Sequence, residues 1–83
     1  MSYQFKLIYN LQDASRHENL TDELLRLLKY NGCDDVELAW KQGNFVALAF
    51  DRDASSMDDA VAQAVLEVSR VVRVDQLVRV QAG

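Results

Sequence analysis

The sequence is poor in several residue types at once. Its 83 residues include no proline, one cysteine, one histidine and three glycines. The lone Cys33 cannot close an internal disulfide or build a cysteine-rich zinc site. His17 is the single histidine, so there is no histidine pair to hold a metal. No apolar run reaches the ~18 residues of a membrane-spanning helix. No basic stretch followed by an apolar core marks an export signal. An excess of positive charge is also missing: 13 acidic against 9 basic residues leave a net charge of -4. A protein that grips phosphates unaided normally carries a positive field, so direct nucleic-acid binding is not expected. The expectation is a cytoplasmic protein with no metal, no cofactor and no membrane partner.

What is present suits one small folded domain. The chain is 49% hydrophobic and 27% charged, too apolar for a disordered tail. The charge is uneven. Residues 1–69 carry 12 acidic and 6 basic side chains, a balance of -6, whereas residues 70–83 set Arg70, Arg73 and Arg79 against Asp75.

Hydrophobic period divides the chain into elements. Residues 3–10 alternate, with Tyr3, Phe5, Leu7 and Tyr9 on one face and Gln4, Lys6 and Asn10 on the other, which predicts a strand. Ile8 breaks the polar face. Residues 11–18 are polar and aperiodic and read as a surface loop. Residues 20–30 form a helical stripe of Leu20, Leu24, Leu27 and Leu28, widened by Leu25. Asn19 or Thr21 caps its start, Asp22, Glu23 and Lys29 suit its dipole, and Asn31-Gly32 ends it. Residues 35–41 predict a strand with Val36, Leu38 and Trp40 inward and Glu37 and Lys41 outward. Gln42-Gly43-Asn44 is a turn, and the apolar run at 45–50 is the strand that completes a hairpin. In the polar break that follows, Arg52 between Asp51 and Asp53 reads as solvated. Ser55 or Ser56 with Asp58 or Asp59 resembles a capping box that opens a helix over 57–70. Met57, Ala60, Val61, Ala64, Val65 and Val68 mark its buried side. The valine-rich residues 71–80 predict a last strand with an irregularity at Asp75-Gln76.

The order strand, helix, strand, strand, helix, strand predicts a single α+β domain over residues 1–83. Right-handed crossovers place both helices on one face of a four-stranded antiparallel sheet, a ferredoxin-like βαββαβ sandwich. The other face is left open. Ile8 and alternate residues of the 45–50 run put apolar side chains on both faces, and an open apolar face usually has a partner. A homodimer or a protein partner is expected.

Catalytic and metal chemistry find little support. Cys33 and His17 lack further ligands nearby, and Cys33 reads as a small hydrophobe at a helix-to-strand turn. Asp34, Asp35 and Asp51 are a conceivable cation set, but turns and strand ends explain them. The aromatics Tyr3, Phe5, Tyr9, Phe45 and Phe50 have only Lys6 as a basic neighbour in sequence, so core packing explains them better than RNA stacking. Arg16 and His17 stand in a loop without glycine, which is no phosphate cradle. No nucleophile–base pair is evident, and no catalytic residue is expected.

Three strings together support a resemblance. They are Gly32-Cys33-Asp34-Asp35, then Phe50 to Ser56, then Ala60-Val61 and Ala64-Val65 with Val68 leading to Val71-Val72-Arg73-Val74. The chain resembles the N-terminal accessory domain of small bacterial helix-turn-helix proteins of the excisionase and antitoxin kind. That resemblance implies a domain that dimerises or binds a partner protein. The DNA-binding helices that follow in those proteins have no counterpart up to Gly83, so their role is not carried over.

Three functional expectations follow. The first is a non-catalytic interaction or dimerisation module of bacterial or mobile-element origin, acting in regulation, whose contacts are carried by the open sheet face and the second helix, with Tyr9, Trp40 and Phe45 as contact anchors. Ordinary core packing is the competing explanation for all three. The second is a small acidic inhibitor of the anti-CRISPR or anti-restriction type. Its carboxylates at Asp34, Asp35, Glu37, Asp51, Asp53, Asp58 and Asp59 would mimic phosphates against a basic channel. The third is a small-ligand sensor dimer binding near Asn10–Ser15.

Overall fold

The computed structural model describes residues 1–11 and 20–83. The polar loop at 12–18, with Arg16 and His17, and the cap expected at Asn19 lie outside the described residues. So do the side chains of Leu20 and Thr21.

The elements are β1 (Ser2–Asn10), α1 (Leu20–Tyr30), β2 (Glu37–Gln42), β3 (Phe45–Asp53), α2 (Met57–Val68) and β4 (Leu77–Ala82), with a short 3-10 turn at Val74–Gln76. The strands form one sheet in the order β2-β3-β1-β4, and every neighbouring pair is antiparallel. This is the ferredoxin-like α+β sandwich that the order of periods predicts. One buried cluster joins Phe5, Leu7, Tyr9, Val46, Leu48 and Phe50 of the central strands to Leu24 and Leu28 of α1 and to Ala60, Ala64 and Val68 of α2. Both helices therefore cover the same sheet face. Their apolar stripes have nowhere else to be buried.

Local chemistry sets the boundaries. At the end of α1, Gly32 takes φ 102, a left-handed conformation that glycine adopts without penalty. Its N–H donates to the Lys29 carbonyl at 3.3 Å, and the Cys33 N–H reaches back to the Leu28 carbonyl at 2.9 Å. This is the Schellman closure, and its usual apolar contact falls to Cys33 and Leu28, both fully buried. The β2–β3 hairpin turns through Gly43-Asn44, with Gly43 at φ 59. A positive φ at the first of two loop positions is what a tight hairpin requires. Ser56 caps α2 by accepting the Asp59 N–H at 3.1 Å, and the Ser55 hydroxyl donates to the Asp59 carboxylate.

Three expectations need correction. The last strand begins at Leu77, not at 71. Residues 70–72 instead close the end of α2, where the N–H groups of Val71 and Val72 both donate to the Val68 carbonyl at 2.9 and 2.8 Å. Asp75 and Gln76, where an irregularity was expected, form the 3-10 turn. Trp40 does not share the inward face of Leu38. The β2–β3 register shifts between Leu38, opposite Leu48, and Trp40, opposite Ala47. The extra residue, Ala39, inverts the alternation and puts Trp40 on the helix-free face. Finally, Arg52 is not solvated. It lies on the helix side in register with Tyr3, and its side chain is only 10% exposed.

Candidate functional site

Cross-strand partners share a face, so the pairing register lays out the helix-free side row by row. The central row runs Trp40, Ala47, Ile8 and Arg79 across β2, β3, β1 and β4. Above it lie Gln42, Phe45 and Asn10. Below it come Glu37, Ala49, Lys6 and Gln81, then Asp51 and Gln4, then Asp53 and Ser2. Ala47 and Ile8 are 0% and 3% exposed, yet neither belongs to the helix-side core. They form the floor of a second apolar area. Trp40 and Phe45 stand beside that floor and remain 37% and 43% exposed.

Charge on this face is divided by strand. Glu37, Asp51 and Asp53 belong to β2 and β3, whereas Lys6 and Arg79 belong to β1 and β4. Trp40, Phe45, Ala47 and Ile8 lie toward the upper end of this face. Lys6 donates to the Gly83 carbonyl at 3.5 Å. A polar hollow of about 290 Å³ opens near it, lined in part by Gln4, Asp35, Glu37 and Asp51.

A second constellation lies on the helix side. The Arg52 guanidinium grips Asp35 side-on, with Nε to Oδ2 at 3.1 Å and Nη2 to Oδ1 at 2.8 Å. Its Nη1 donates to Glu67 of α2, and its carbon lies 5.2 Å from the centroid of the Phe50 ring. Burial opposes ionisation of Asp35, but the Arg52 hydrogen bonds outweigh it and hold the carboxyl below the usual carboxylate range. Hydrogen bonding to Asp35 holds Arg52 still more firmly protonated. Beside this cluster, burial first and the Glu67 carboxylate second push the Cys33 thiol up. Burial pushes the Tyr9 phenol up to about 12, with Cys33 adding to the effect. Both groups are neutral at ordinary pH, so neither is primed as a nucleophile or a base. The guanidinium has its donors committed to two carboxylates, so the cluster is a clamp joining β3, the segment before β2, and α2.

The proposed contact residues are thus scattered. Trp40 and Phe45 do share the open face. Tyr9 does not: it alternates onto the helix side and is 1% exposed, so it is core. Of the acidic residues, Glu37, Asp51 and Asp53 lie on the open face, and Asp34, Asp58 and Asp59 are exposed elsewhere. Asp35 is engaged by Arg52 and is not free to mimic a phosphate. Asn10 lines a shallow hollow of about 290 Å³ with Asp75, Gln76 and Val78, and residues 12–15 lie outside the described residues. Among the described residues no group of three His, Cys, Asp or Glu side chains is placed to hold a metal ion, and no helix is long and apolar enough to cross a membrane.

The sequence reading overlooked the Arg52 clamp, although its signal was present. Leu48, Phe50 and Arg52 alternate in one strand, so an inward Phe50 implies an inward Arg52. Compared with known protein families, characterised proteins and solved structures, the chain shows no significant match.

Proposed function

We propose that the protein is a non-catalytic protein-interaction module that acts in regulation through the helix-free face of its sheet. The observation that carries this reading is the pairing of Trp40 and Phe45 beside the Ala47–Ile8 floor, on a face that neither helix covers. Large aromatics at the centre of a contact dominate its energy, and a surrounding polar rim keeps water out. Here the rim is supplied by Gln42, Asn10, Glu37, Lys6 and Arg79. A bacterial or mobile-element setting, as the resemblance to accessory domains implies, suits a small module of this kind.

A photo-crosslinking amino acid placed at position 45, and in a second variant at position 63 on the exposed side of α2, tests the reading in the native host. Adducts, to itself or to another protein, are expected from position 45 and not from position 63. The opposite pattern contradicts it.

A further inference from the structure

We infer that the occupant of the open face is a second copy of this chain, related by a two-fold axis parallel to the strands. The inference rests on the sheet-face reading and adds the partner and the geometry.

The argument comes from the distribution of charge. Acidic side chains occupy the β2/β3 half of the face and basic ones the β1/β4 half. Two sheets packed face to face are related by an axis lying in the plane between them. An axis perpendicular to the strands would lay each half on its own equivalent, acid over acid and base over base. An axis along the strands, passing between β3 and β1, does the reverse. It sets β2 over the partner's β4, and β3 over the partner's β1. Glu37 and Asp51 then approach Lys6 of the partner subunit, and the reciprocal contact is made on the other side. In the central row, Trp40 faces Arg79 of the partner subunit, a cation–π arrangement repeated by symmetry. Ala47 meets Ile8 of the partner subunit, a small residue against a large one. The face is self-complementary under that operation and self-repelling under the other.

Strand spacing and rise give the face a footprint on the order of 500 Å² per subunit. That is the small end of specific interfaces, and a dimer dissociating in the micromolar range is expected.

Two charge-swapped variants test the arrangement. Glu37→Lys with Asp51→Lys makes both halves basic except at Asp53. Lys6→Glu with Arg79→Glu makes both halves acidic. All four positions are on or near the surface, and circular dichroism checks that each variant is folded. Sedimentation equilibrium at ~100 μM, above the expected dissociation range, should give the wild type twice the 9.4 kDa chain mass. Each variant alone should dissociate at least tenfold more readily. An equimolar mixture of the two should recover the dimer, because a face basic except for Asp53 then meets an all-acidic one. If either variant does not fold, Trp40→Ser replaces it and should be monomeric. A monomeric wild type, or a mixture no better associated than its components, overturns the inference. In that event crosslinks from position 45 to a different protein would leave the sheet-face reading standing, whereas crosslinks confined to position 63 would remove both.

Discussion

Arg52 shows how much a single side chain can organise. It is the end of the alternating row Leu48, Phe50, Arg52, and a solvated arginine there would leave the bottom of the helix-side core open. Instead it bridges Asp35 and Glu67 over the Phe50 ring. Removing the cation while leaving two half-buried carboxylates is costly, so Arg52→Leu is expected to lower stability by about 2–4 kcal/mol at pH 7. Urea unfolding measures this, and an unchanged midpoint would refute the clamp. The pH dependence has a definite sign. Asp35 has its folded pKa depressed, so its contribution is full above the unfolded carboxyl value of about 4 and disappears as the pH falls through the lower folded value. Asp35→Asn should therefore flatten the loss of stability below about pH 4. The charges flanking Arg52 in sequence concealed this role: Asp51 and Asp53 suggest a solvated stretch, but both alternate onto the other face.

At the scale of elements, the sequence was most legible where one local rule acts alone. The leucine stripe ending at Asn31-Gly32 places α1 over 20–30, and Leu20–Tyr30 is its observed span. Gly32→Ala is expected to cost about 1 kcal/mol, since the Schellman closure needs a positive φ there. Thermal unfolding reads that loss, and a neutral substitution would contradict the assignment of the cap. Legibility failed at the edge strands. Alternation in β2 puts Trp40 with Leu38, and only the pairing with β3 reveals the extra residue Ala39. β4 has a comparable shift opposite Ile8 and Tyr9, where Arg79 and Leu77 are paired and Val78 is left over. A bulge is a property of two strands, so one strand's sequence does not announce it. The same logic separates Trp40 from the core energetically. Trp40 keeps 37% of its surface exposed, so Trp40→Ala should cost less than the fully buried aromatic, about 2 kcal/mol against about 3–5 kcal/mol for Phe50→Ala. Parallel urea titrations distinguish the two, and a large loss at Trp40 would return it to the core.

For the whole molecule, the decisive fact is that both helices are spent on one sheet face. Their apolar stripes bury Phe5, Leu7, Leu48 and Phe50, and the opposite face keeps Trp40 and Phe45 beside Ala47 and Ile8. Composition registers only the net -4. The division of that charge into an acidic half and a basic half of one face emerges only after folding, when Arg79 comes beside Ile8 and Asp51 beside Gln4. Trp40 is also the only tryptophan, so its fluorescence reports on this face without interference. The most direct measurement of the central claim is acrylamide quenching of Trp40 over a dilution series from ~100 μM to ~0.1 μM, a span that brackets a micromolar dissociation. The account predicts weak quenching and blue-shifted emission at high concentration, and several-fold stronger quenching with red-shifted emission once the face is uncovered. Quenching that stays constant while sedimentation shows the dimer dissociating would contradict it, because the association would then run through some other surface.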